Sequence, residues 1–219
     1  MKKTMIKMNY IIAVTAAIAL GASAHAGTPV VVTESAPVQY SGARNAFAVD
    51  LGVGFQHSKD ASDTVAALEL GAGWAFDTGG VYSHFLGVNL IYTDDFKHHE
   101  DYDFFDATVE FNIFGIYGLY RPYIRIANTG LKVYGEAGLG AAYIDVDVRV
   151  RSIFGSFSDS DDDWSFSVRG GAGLEYDFTE TVALRVGYSY IYIDSASFFG
   201  GDHEHDDFHG GTLALVLRF

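Results

Sequence analysis

The sequence predicts an all-β fold, an eight-stranded antiparallel up-and-down transmembrane β-barrel over residues 44–219, and three observations carry that expectation. Hydropathy alternates with a period of two along most of the chain after residue 44. Glycine is abundant (25) and proline scarce (3), with 15% aromatic residues dominated by Phe and Tyr. Beyond the N-terminus no stretch approaches the ~20 apolar residues that a spanning helix needs. A chain that crosses a membrane here must therefore do so with strands.

Residues 1–26 read as a secretory signal peptide: Lys2, Lys3 and Lys7 precede an apolar run from Ile11 to Leu20, and Ala24-His25-Ala26 offers a small-x-small cleavage site. Residues 27–43, with Pro29 and Pro37, read as a periplasmic lead-in segment. Removing the signal takes three lysines and no acid, which moves the formal net charge from −14 to −17. Such acidity repels phosphates and argues against nucleic acid as a partner. The absence of Cys excludes a disulfide framework and thiolate chemistry.

Each strand shows one apolar face. In the first, Phe47, Val49, Leu51, Val53 and Phe55 alternate with Ala48, Asp50, Gly52, Gly54 and Gln56; in the second, Leu68, Leu70, Ala72, Trp74 and Phe76 alternate with Ala67, Glu69, Gly71 and Gly73. Asp77-Thr78-Gly79-Gly80 marks a tight turn, and Tyr82, Leu86, Val88, Leu90 and Tyr92 form the third apolar face. The fourth sets Phe105, Ala107, Val109, Phe111 and Ile113 against Asp106, Thr108, Glu110 and Asn112, with a turn region from Arg121 to Gly130 after it. In the fifth, Val133, Ala137, Leu139, Ala141 and Tyr143 share a face, whereas Ile144, Val146 and Val148 fall on the other; a bulge, or strands extending above the membrane, accounts for that switch. Trp164 to Phe178 and Val182 to Tyr192 supply the sixth and seventh strands, and Leu213, Leu215, Leu217 and Phe219 the outer face of the last. The segments Asp94–Asp103, Arg149–Asp163 and Ser195–Asp207 read as long acidic loops on one end, opposite shorter turns.

Alternation alone does not say which face is the interior. The polar face carries Gly52, Gly54, Gly71, Gly73, Gly138, Gly140, Gly171 and Gly173, which suit the crowded lumen of a narrow barrel. Aromatic residues gather near both strand ends, as at the two interfaces of a membrane. Tyr134-Gly135-Glu136-Ala137-Gly138-Leu139-Gly140-Ala141-Ala142-Tyr143, Gly171-Ala172-Gly173-Leu174-Glu175-Tyr176 and the terminal Phe219 resemble the strands of small outer-membrane barrels of the OmpA/OmpX and opacity-protein type. That resemblance implies a place in the cell outer membrane among its lipid and lipopolysaccharide. It also implies insertion by the outer-membrane assembly machinery, with Phe219 as the assembly signal, and roles from envelope integrity to adhesion on a host or matrix surface.

On this register the inward charges are Glu69, Glu110, Glu136, Arg169, Glu175, Arg185 and Arg218. Counting around the turns sets Glu175 opposite Arg185 and Glu69 opposite Asn89. The set serves either a gated or ion-selective pore or a salt-bridged plug; the width of eight strands favours the plug. In the last loop His203 and His205, two apart on extended chain, with Asp207 or His209 beside them, are the candidate ligands of a divalent metal. No other cofactor is implied. Ser195 and Ser197 lie near these histidines, but no spacing singles out a catalytic triad. The expectation is a non-enzymatic barrel with a structural or surface-binding role through acidic external loops. A narrow ion or small-solute channel is the alternative, and a lipid-modifying enzyme stands behind both.

Overall fold

The computed structural model describes residues 44–59, 62–78, 80–102, 105–126, 129–152, 155–194, 196–198, 201–203 and 206–219. The signal (1–26) and the lead-in (27–43) lie outside the described residues. Among the described residues eleven strands run in chain order: β1 (Arg44–Ser58), β2 (Asp63–Asp77), β3 (Tyr82–Thr93), β4 (Phe96–Tyr102), β5 (Phe105–Arg125), β6 (Leu131–Ser152), β7 (Gly155–Asp177), β8 (Val182–Ile193), β9 (Ala196–Phe198), β10 (Gly201–His203) and β11 (Asp206–Arg218). Antiparallel ladders join β3, β2, β1, β11, β8, β7, β6 and β5 in that order, and β3 pairs again with β5. That last ladder closes a ring of eight strands and removes the sheet edges along the membrane. Phe47 and Phe219 exchange backbone hydrogen bonds (Phe219 N to Phe47 O, 2.8 Å), so the seam between first and last strand is sealed to its end.

Between β5 and β6 the connection is only residues 126–130, because β5 runs on through Pro122 to Arg125. The first part of the expected turn region, Arg121 to Arg125, is therefore strand, and the connection occupies the remainder. Pro122 lacks an N–H, and the β5–β6 ladder skips Arg121 and Pro122 while both remain paired to β3. The β2–β3 turn pivots one residue later than expected: Asp77 pairs with Ser83, and Thr78 Oγ1 donates to Tyr82 O. Asn89 consequently stands opposite Gly71, and Glu69 opposite Ile91.

The three acidic segments are largely β-structure. Asp94–Asp103 holds β4, which pairs with β5; Arg149–Asp163 is the upper part of a hairpin in which Ser152 pairs with Gly155; and Ser195–Asp207 holds the small β9–β10 ladder. Nor does β6 contain a bulge. Its ladders to β5 and β7 run without an extra residue through the switch at Ala142, so the strand extends past the membrane with its even residues inward throughout.

The upper limit of the lipid-facing band is a row of aromatic residues in register across four strands, Tyr92 with Phe114, Phe114 with Tyr143, and Tyr143 with Trp164. At the other end Trp74, Tyr82, Tyr176, Phe178 and Phe219 are exposed on the outer surface. From Val133 to Tyr143, a rise of ~3.3 Å per residue at a tilt of ~40° gives ~25 Å, the height of an outer-membrane hydrocarbon band. Leu51, Leu70, Leu86, Leu139, Leu174 and Val186 point outward within it.

Candidate functional site

Charged side chains from six strands meet inside the barrel at mid-height. Arg169 on β7 lies four strands round the ring from Glu69 on β2, which makes them diametrically opposed. Its guanidinium donates to both oxygens of Glu69 (3.0 Å each), to Glu136 Oε1 (2.9 Å) and to Asn89 Oδ1 (2.8 Å). Arg121 of β5 reaches Glu136 Oε2 at 3.0 Å and Asp50 Oδ2 at 3.2 Å, and Arg185 of β8 reaches the same Asp50 oxygen at 2.5 Å. Thr212 Oγ1 completes Glu69 with a 2.7 Å hydrogen bond. Every charged member is buried. A void of about 10 Å³ beside Ser189, Thr212 and Arg185 is the size of a single water. The network thus spans the lumen and fills it.

Two glycines make room for it. A Cβ on Gly71 would fall 1.6 Å from Asp50 Oδ1, and one on Gly187 would fall 2.0 Å from the Tyr134 hydroxyl oxygen, whose ring stacks beneath Arg121 and Arg185.

Below this layer Lys132 Nζ approaches Asp177 at 2.7 Å and Glu175 at 3.7 Å, while Arg218 pairs with both acids, Asp177 at 2.8 Å. These groups line a cavity of about 520 Å³ at the turn end, together with Asp50, Tyr123 and Val216. Glu175 does stand opposite Arg185 in the β7–β8 ladder. The ion pair expected from that register is not the one made: Arg185 turns to Asp50 and Glu175 to Arg218 and Lys132, because the lumen lets long side chains reach across strands. With Asp50, Glu69, Glu136, Glu175 and Asp177 facing Arg121, Lys132, Arg169, Arg185 and Arg218, acids and bases in this described set are equal in number. Asp50, Arg121, Lys132 and Asp177 are additional to the inward charges expected from the sequence. Asp50 and Lys132 lie on inward positions by the same count of two, whereas Arg121 was hidden by its neighbour Pro122.

Above the charged layer the lumen turns apolar. Val65, Ile91, Phe96, Ile113, Ala142, Ile144, Val146, Ile191, Ile193 and Phe208 are buried together, with Phe96 stacked on Phe111 at 5.0 Å and against Phe208 at 5.4 Å. Here Glu110 departs from expectation. Phe111 and Ile113 point inward, so Glu110 sits on the outer face of β5, opposite Asp147 and Lys97. Lys97 Nζ donates to Glu110 Oε1 at 2.6 Å, and Arg149 approaches Oε2 at 3.5 Å. The Lys97 hydrogen bond holds the Glu110 carboxyl below its ordinary value, although partial burial opposes it.

Of the candidate metal ligands, His205 lies outside the described residues and His203 lies on β10, paired with Ala196. Asp207 and His209 are on the outer face of β11, with Tyr188 Oη 2.6 Å from His209 Nδ1. Among the described residues no group of three or more His, Asp or Glu side chains is arranged to hold a metal. Ser195 lies outside the described residues. Phe219 projects from the turn-side rim, 77% exposed.

The chain is 32% identical over 91 residues to uncharacterized proteins of Brucella abortus, Brucella suis and Brucella melitensis; the match takes in 38% of this chain and spans 32% of the length of those relatives. Among solved structures, Neisserial surface protein A aligns with 81% of this chain and 99% of its own at 17% identity and a TM-score of 0.46. Ail, the attachment invasion locus protein of Yersinia pestis, aligns over 81% and 99% at 15% identity and a TM-score of 0.42. The outer-membrane enzyme PagL aligns over 78% and 99% at 15% identity and a TM-score of 0.43. Residues 12–219 match the family model described as the outer membrane protein beta-barrel domain, and the chain belongs to that family of outer-membrane barrels.

Proposed function

We propose that this outer-membrane barrel is a non-enzymatic surface-binding protein whose working part is the β-structured extension above the aromatic row. The observation that carries this reading is the β6–β7 hairpin. It continues past Tyr143 and Trp164 as a regular ladder to Ser152 and Gly155, so it presents its charges on a fixed sheet. Asp145, Asp147, Asp159, Asp161, Asp162 and Asp163 outweigh Arg149 and Arg151 there, which suits a cationic partner: a basic protein surface of a host or matrix, or lipopolysaccharide bridged by divalent ions. Filling of the lumen by the Arg169 network and the apolar layer supports a closed barrel over the channel alternative. Phe219, exposed at the end of the sealing strand, is available to the assembly machinery as its recognition signal.

The test is to shorten the hairpin, replacing residues 146–161 by a two-residue Asn-Gly turn, and to measure adhesion of whole cells to matrix-coated surfaces. Lost adhesion with an intact, heat-modifiable barrel is the expected outcome. Unchanged adhesion with raised outer-membrane permeability would move the assignment to envelope structure. Steady current steps from the wild-type protein in planar bilayers would restore the channel.

A further inference from the structure

We infer that His57 and His209 form a bis-imidazole site for a borderline divalent transition-metal ion, on the outer surface where the first and last strands meet. The two residues are directly opposed in the β1–β11 ladder and share its outward face. Their ring centroids are 5.0 Å apart, close enough for one ion to bridge them. Each imidazole is also held from behind. Thr64 Oγ1 lies 2.9 Å from His57 Nδ1, and Tyr188 Oη lies 2.6 Å from His209 Nδ1. Metal binding through Nε2 requires the proton on Nδ1, and both hydroxyl oxygens are placed to accept it, the arrangement found behind ligating histidines generally.

Two imidazoles and no thiolate select zinc, nickel or copper over calcium and magnesium, which prefer oxygen. Water fills the remaining coordination positions. The site differs from the loop set His203, His205, Asp207 and His209 in needing His57, which lies some 150 residues earlier in the chain and meets His209 only because the barrel closes. An ion bound there ties the N-terminal strand to the C-terminal one at the end of the seam farthest from Phe47 and Phe219.

The experiment is calorimetric titration of Zn²⁺ into the purified, metal-stripped barrel in detergent, with Ca²⁺ as competitor and the unfolding temperature read in parallel. Wild type is expected to bind one zinc that excess Ca²⁺ does not displace, and to unfold at a higher temperature with it. His57→Ala and His209→Ala abolish both effects. Tyr188→Phe, which removes only the supporting hydroxyl, weakens zinc roughly tenfold. The His203→Ala/His205→Ala double variant binds as wild type does. Absence of zinc binding, displacement by Ca²⁺, or binding that survives His57→Ala and is lost in the double loop variant would each overturn the assignment.

Discussion

Along β6, Lys132, Tyr134, Glu136, Gly138 and Gly140 face the lumen while Val133, Ala137, Leu139 and Tyr143 face out; two residues later the same inward positions are Ala142, Ile144, Val146 and Val148, and the outward ones Asp145, Asp147, Arg149 and Arg151. Strand β5 makes the same exchange between Ile113 and Phe114. Neither strand bulges or changes phase. What changes is the solvent outside the wall. Against lipid, apolar side chains cost nothing on the outer face and the polar set is confined to the lumen, where each group must find a partner. Against water, burying Ile144, Val146 or Phe96 inside gains ~1.5–3 kcal/mol each, and the charges belong outside. The two halves of one barrel are thus held by opposite means, an ion-pair network below the aromatic row and a hydrophobic core above it.

The sharpest way to break this contrast is to remove the centre of the lower half. Arg169→Ala leaves Glu69 and Glu136 without their shared cation in a dry setting, and should cost ~3–5 kcal/mol. A lowered urea midpoint with an unchanged slope would show it. Unaltered stability would mean that water reaches these acids and that the plug is wet. Next in size is the position of the boundary itself. Leu139→Lys places a charge in the lipid band and should cost ~2–4 kcal/mol, whereas Asp147→Lys, on the same face of the same strand but above the row, should change stability by no more than ~0.5 kcal/mol. Equal effects at the two positions, measured by refolding into bilayers, would erase the boundary.

The inversion also explains which parts were legible in the sequence. Strands β1, β2, β3, β7, β8 and β11 lie mostly within the lipid band, where apolar means outward, and their faces follow from a count of two. On β5 the rule misleads: Phe111 and Ile113 are as apolar as any lipid-facing residue, so the alternation sets them outside and Glu110 inside, although this stretch of β5 lies above the band, where the outer face meets water and the apolar residues turn into the lumen. Pro122 imitated a turn signal because the loss of its N–H is tolerated at a gap in one ladder, a tertiary circumstance. Asp50 needed only the count already applied to Glu69. The Arg169–Glu69 pair could not be read at all, since a contact across the diameter depends on how eight strands close.

A finer probe of the lower half is the space that glycine leaves there. Gly71→Ala would drive its methyl onto the Asp50 carboxylate, which Arg121 and Arg185 hold from the other side and which is too short to swing clear. We expect a loss of ~1–3 kcal/mol from overpacking. Pairing it with Asp50→Gly, which removes the clash and one partner of the arginines together, should give a non-additive result. Strict additivity would mean that Gly71 and Asp50 do not share that space.

The smallest expected effect lies in the upper half, among Lys97, Glu110 and Arg149 on the outer face of β4, β5 and β6. Glu110 has its folded carboxyl pKa lowered, first by the Lys97 hydrogen bond and then by the charges of Lys97 and Arg149. A carboxyl lowered on folding stabilises above its unfolded pKa, and that contribution is lost as pH falls through the folded value. The pair's contribution should therefore be complete at neutral pH and fade on acidification below the ordinary Glu range. Because the Lys97 side chain is 44% exposed, the pair is worth at most ~1 kcal/mol and weakens with salt. Glu110→Gln should flatten the acid limb of the stability profile slightly, most visibly at low ionic strength. The apolar core beneath, through Phe96 and Phe111, has no such dependence and should hold the extension in place in the variant. A large acid-induced loss that disappears in Glu110→Gln would mean that this carboxyl is buried after all, and that the inversion of faces begins higher on β5 than Phe114.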